Sequence, residues 1–154
     1  MEVAAKRDGR GAAGTLTSIN GLAIDLREAG ELEEAETLFR ELLAGREQVL
    51  EPGDFQIGRA LGGLAKTLEL ASKLEEALDY RQQALNHRLA NEGPDAWCTN
   101  RGRLDLARVL QKLDRQTEAH ALVRELQASM DQLEEPDEDD RLLISEASEL
   151  TRSN

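Results

Sequence analysis

Four basic residues recur in two pairs at one interval: Arg59 and Arg101 lie 42 residues apart, and so do Lys66 and Arg108. An arginine fork can grip a carboxylate through two parallel hydrogen bonds, and a lysine adds a point charge, so such rows suit recognition of an acidic group. Other chemistry-bearing residues are sparse. His87 and His120, the only histidines, stand at non-equivalent positions with no partner at metal-ligand spacing, and they read as ordinary helix-surface residues. Cys98 has no second cysteine and no histidine at a fixed spacing, so it reads as a small, partly buried residue rather than a nucleophile. The glycines of Gly9-Arg10-Gly11 and of Gly58 to Gly63 precede no Lys-Ser pair and follow no predicted strand, which argues against a phosphate cradle. Gly62 and Gly63 read instead as sites of close helix approach. No catalytic constellation, cofactor motif or metal motif is present, and the chain reads as non-enzymatic.

The bulk composition narrows the partners. The 154 residues include 31 acids and 19 bases, a net charge of −12, and only 3% aromatic residues. Such a chain is repelled by nucleic-acid backbones and anionic membranes unless its bases cluster locally. No run approaches the roughly 18 apolar residues of a membrane span. Residues 1–14 contain Lys6, Arg7 and Arg10 but no apolar stretch of a secretory signal, and they are expected to form a flexible leader. One cysteine excludes an intrachain disulfide, and the expected compartment is the cytoplasm.

The elements that must position the basic pairs follow from the same interval. All three prolines, Pro52, Pro94 and Pro136, are spaced by 42 residues, each among acids: Glu51-Pro52-Gly53-Asp54, Glu92-Gly93-Pro94-Asp95 and Glu134-Glu135-Pro136-Asp137. Proline ends one helix and suits the first turn of the next, so constant punctuation marks a structural repeat. Leu22-Ala23 recurs as Leu64-Ala65 and Leu106-Ala107, and Leu26 as Leu68 and Leu110. Glu34-Ala35 recurs as Glu76-Ala77 and Glu118-Ala119, while the breaker Gly30 becomes Ser72 and Asp114. Apolar residues inside each period follow three- and four-residue helical spacing. Helices are therefore predicted at about 15–29, 32–50, 55–71, 74–91, 97–113, 116–133 and 138–151, with short connections forcing antiparallel pairs.

Ile19, Leu22, Ala23, Leu26, Ala35, Phe39 and Leu42, together with the linker Arg46 to Asp54, resemble the tetratricopeptide repeat (TPR) in the 42-residue form of kinesin-light-chain-like arrays. The resemblance implies an all-α fold: a right-handed superhelical solenoid of three antiparallel helix-turn-helix repeats plus a C-terminal helix. The repeats fall at about 16–57, 58–99 and 100–141 within a single domain over 15–154, with the terminal helix at about 138–151. Two departures stand out. Phe39 becomes Arg81 and Val123, and Ile19 becomes Leu61 and then Arg103, so the first helix of the third unit is expected to pack less well.

In that family the first helices line the concave side. The repeat register then puts Thr17, Asn20, Ile24, Arg27 and Glu28 of the first unit inward, with Arg59, Gly62, Lys66, Glu69 and Leu70 of the second and Arg101, Leu104, Arg108, Gln111 and Lys112 of the third. Six of these fifteen positions are cationic and two acidic, the reverse of the chain as a whole. The expected binding groove is Asn20, Arg27, Arg59, Lys66, Arg101, Leu104, Arg108 and Lys112, and its expected occupant is an acidic or amphipathic segment of another protein. Alternatively, the cations pair with acids of neighbouring repeats, where exposed pairs contribute only about 0–1 kcal/mol. The chaperone-tail carboxylate clamp of some family members is disfavoured, because Asn20 and Ile24 stand where it expects lysine and asparagine. Self-association, service as one segment of a longer array, and partnership with an enzyme remain alternative roles. Phe55 and Trp97, also 42 apart, read first as hydrophobic staples against the preceding helix and second as partner contacts. The acidic run Glu134 to Asp140 reads as a solvated linker or a contact for a basic partner.

Overall fold

The computed structural model describes residues 9–152, which form α1 (Gly9–Ala29), α2 (Leu32–Val49), α3 (Phe55–Leu70), α4 (Leu74–Glu92), α5 (Trp97–Lys112), α6 (Gln116–Met130) and α7 (Glu138–Arg152). There is no strand among the described residues. Each helix packs on the next, pairing α1 with α2, α3 with α4 and α5 with α6, and α7 lies against both α6 and α5. The helical solenoid expected from the repeat is thus present. Its first helix opens at Gly9, not at residue 15, so part of the expected leader is helical; residues 1–8 lie outside the described residues.

The tight turns inside the pairs share one device. Gly30, Ser72 and Asp114, each 42 residues from the next, all adopt the left-handed conformation, with φ of 86°, 61° and 60°. In every case the amide of the residue that follows reaches back five residues: Glu31 N to Leu26 O, Lys73 N to Leu68 O and Arg115 N to Leu110 O, at 2.8–2.9 Å. These are Schellman caps, which satisfy carbonyls that the helix end would leave bare. Asp54 caps α3 by accepting from Gln56 N at 2.8 Å, and Asp137 and Asp140 exchange backbone-to-carboxylate bonds at the start of α7.

Small residues at repeat-equivalent positions let the helices close up. Ala23, Ala65 and Ala107, and likewise Ala35, Ala77 and Ala119, are all fully buried. Phe39, Leu42, Leu64 and Leu68 centre one core cluster; Leu104, Leu106, Val123, Leu126 and Leu143 centre the next. A Cβ on Gly63 would stand 2.5 Å from the Phe39 ring, so glycine is required for that approach, whereas one on Gly62 would meet only arginine tips near 4 Å. Close approach therefore depends on Gly63 alone of the two. Leu22 is 52% exposed although Leu64 and Leu106 are buried, because no earlier repeat among the described residues covers it.

The third unit packs better than Arg103 suggested. That side chain is buried, with its guanidinium donating to Pro94 O and Asn100 Oδ1 and lying 3.3 Å from the Glu125 carboxylate. A buried arginine is tolerated where its charge is met, although Nε itself makes no hydrogen bond.

Candidate functional site: a cationic pocket in the groove

The cationic surface is assembled by three helices and closed by a fourth. From α3 come Lys66, Glu69 and Leu70; from α4 comes Arg81; from α5 come Arg101, Asp105, Arg108 and Lys112. Together they line a pocket of about 280 Å³. Residues 66 and 69 stand one turn apart on α3, and 101, 105, 108 and 112 follow three- and four-residue spacing on α5, so each helix presents one face. The seven charged lining residues comprise five bases and two acids.

The cations are held by an ordered set of carboxylates. Arg81 Nε donates to Glu69 at 2.7 Å, and its Nη1 lies 3.5 Å from Asp105. Arg101 Nη1 and Arg108 Nη2 share Glu146 of α7, at 2.7 and 3.1 Å. Lys112 Nζ lies 3.5 Å from Glu69. Lys66 is exposed and has no ion-pair partner among the described residues. Including Glu146, five cations face three carboxylates, leaving an excess of positive charge in a chain whose net charge is −12.

The expected groove residues divide accordingly. Lys66, Arg101, Arg108 and Lys112 are brought together. Arg27 is half-buried beside them: its guanidinium lies 5.4 Å from the centre of the Phe39 ring. Burial pushes Arg27 below the ordinary arginine value; Glu28 opposes this and the charge of Arg81 adds to it. Arg59 is exposed but does not line the pocket, and neither does the half-buried Asn20. Leu104 is a correction: it is fully buried in the core cluster that contains Leu143 and Ala147, because α7 packs over α5. The alternative of neighbouring-repeat ion pairs thus describes Arg101, Arg108 and Lys112, but not Lys66 or Arg59.

Two residues of the pocket and its ion-pair network escaped the sequence reading. Arg81 sits on a second helix at the position of Phe39, and a charge replacing a packing residue was the available signal. Glu146 is 42 residues beyond Leu104, so extending the register into α7 would have pointed to it.

His87 and Cys98 have partners close at hand, whereas Nε2 of the half-buried His120 and Nδ1 of His87 are buried without a hydrogen-bond partner among the described residues. His87 Nε2 lies 3.1 Å from Pro52 O, tying α4 to the linker before α3. The Cys98 thiol donates to the Glu92 carboxylate, and burial followed by that contact raises its pKa, which opposes nucleophilic character. No group of three or more metal-ligating side chains occurs among the described residues, and no helix there is long and apolar enough to cross a membrane. Phe55 and Trp97 are 58% and 44% exposed, so neither ring is closed down as a staple.

Comparison with solved structures finds the same fold at low identity. Kinesin-light-chain TPR-like repeats of Podosopora anserina match with a TM-score of 0.73 at 18% identity, covering 90% of this chain and 67% of that one. BtubC of P. vanneervenii matches with a TM-score of 0.77 at 18% identity, covering 95% and 58%. The type III secretion translocator chaperone SycD of Yersinia enterocolitica matches with a TM-score of 0.69 at 17% identity, covering 92% and 91%. No curated protein matches the sequence. A family model described as tetratricopeptide repeat matches residues 13–90. With that match over half of the sequence and the paired helices in register, the chain belongs to the tetratricopeptide repeat family.

Proposed function

We propose that this chain is a non-enzymatic, cytoplasmic protein-interaction module that captures an acidic segment of a partner in its concave groove. One observation carries the reading: five cations converge on one pocket of an otherwise acidic molecule. Lys66 offers an ammonium with no ion-pair partner among the described residues, and Arg101 and Arg108 offer guanidinium groups now held by Glu146. Leu70, 53% exposed at the pocket wall, supplies an apolar contact beside them. Arg27, and Asn20 and Arg59 outside the pocket, extend the proposed contact surface along the first helices. A relative of similar fold, the chaperone PcrH, has been solved in complex with the chaperone binding region of PopB, which supports peptide capture as a use of this scaffold.

The test is anisotropy titration of a labelled peptide rich in Asp, Glu and Leu. The double reversal Lys66→Glu/Arg108→Glu is expected to weaken binding at least about tenfold while circular dichroism stays unchanged. Glu146→Gln, which frees two arginines, is expected to tighten it. Unchanged affinity in the double variant would overturn the groove assignment. Exposure of Leu22 at one end of the stack and Leu142 at the other favours a second reading, stacking into a larger array. A sedimentation coefficient independent of concentration would exclude self-stacking.

A further inference from the structure

We propose that the edge of the solenoid carrying the inter-repeat linkers is a second docking surface, for a cationic segment of a partner protein that bears large apolar anchors. It is separate from the groove in position and opposite to it in charge.

Antiparallel pairing gathers the ends of α2, α4 and α6 and the starts of α3, α5 and α7 along one edge. Bonds across that edge hold it together. Arg46 Nη1 donates to Gln56 O at 2.8 Å, and its repeat-equivalent Arg88 donates to Cys98 O at 2.8 Å. Eight large apolar residues are exposed among the described residues, and five lie on this edge: Val49, Phe55, Leu89, Trp97 and Leu133. Singly exposed apolar residues are ordinary, but concentration on one side marks an interaction surface. Phe55 and Trp97 are register equivalents, so the first two linkers each present an aromatic ring, with Asp139 at the third position, and aromatics are the usual anchors of protein interfaces.

The same edge is densely acidic. The spans 47–54, 92–95 and 131–140 contain twelve acids and no base, against 31 acids and 19 bases in the chain. The exposed bases Arg59 and Arg141 come only just inside α3 and α7. A field of this sign repels nucleic acid, anionic membranes and the same edge of a second copy, and it attracts a cationic segment. Within the edge, a pocket of about 470 Å³ has Ile57 and Leu61 among its walls and Glu47, Pro52 and His87 around them, a suitable seat for one apolar anchor. Acidic rim and apolar seat together specify the occupant.

Trp97 is the single tryptophan and serves as reporter. The probe is an amphipathic Lys/Leu peptide of about 15 residues, titrated beside a Lys/Ser peptide of equal charge. The expected result is a saturable blue shift of Trp97 emission with the Lys/Leu peptide and at least tenfold weaker binding of the control. Phe55→Ser and, independently, Glu51→Lys/Asp95→Lys should each weaken the Lys/Leu peptide at least fivefold by calorimetry with the thermal midpoint monitored. Lys66→Glu/Arg108→Glu, the groove variant, should not weaken it, which separates this proposal from the groove reading. Equal binding of both peptides, insensitivity to the edge variants, or concentration-dependent self-association abolished by Phe55→Ser would overturn it.

Discussion

At the scale of single residues, the arginines of this chain divide by what they touch and not by where they occur. Arg46 is buried and satisfies the Gln56 carbonyl, whereas Arg59 is exposed and unpaired among the described residues. A charged hydrogen bond of this kind is worth about 1.5–3 kcal/mol. Arg46→Leu is therefore expected to lower stability by about that amount in urea melts, while Arg59→Leu changes it by less than about 0.5 kcal/mol. Equal effects would show that the linker bond contributes nothing. The sequence offered both residues alike, because burial is a property of neighbours that residue type does not disclose. Arg88 was equally silent, although its spacing of 42 from Arg46 held the clue.

At the scale of elements, helix limits were largely legible. Proline, Gly30 and the acidic N-terminal turns are local signals, and α2 to α5 and α7 begin and end within a residue or so of the positions that they imply. The early start of α1 was not legible, since Gly9, Gly11 and Gly14 disfavour helix. The turns offer a direct test. Ser72 holds φ of 61° and Asp114 holds 60° where glycine would carry no Cβ penalty. Ser72→Gly and Asp114→Gly are each expected to raise stability by about 0.5–1 kcal/mol, net of the added freedom of the unfolded chain. Thermal midpoints that fall would refute the cap as a strained position.

At the scale of the molecule, α7 has two duties. Leu143, Ala147 and Leu150 close the core over Leu104 and Leu126, and Glu146 pairs with two of the pocket cations, Arg101 and Arg108. Cutting the chain after Leu133 should uncover Leu104 and Met130 and produce a lower, broader melt with concentration-dependent association. A truncated form that melts as the whole chain does would mean that α7 is only an appendage. The same packing explains why Leu104 is not a groove residue: α7 is remote in sequence from α5, and no local pattern shows that it lies across it.

What the sequence determined by itself was the period of 42, and with it the helix pairs, the turn positions and the repeat-equivalent cations. These follow from short-range physics: helical spacing, left-handed caps and proline stops act within a few residues. Only the tertiary structure decided which cations share a pocket, which are neutralised and which face the solvent. Arg81 lines the pocket and Leu104 is buried because packing between helices far apart in sequence controls burial and charge pairing, and those energies depend on distances that the linear order does not contain.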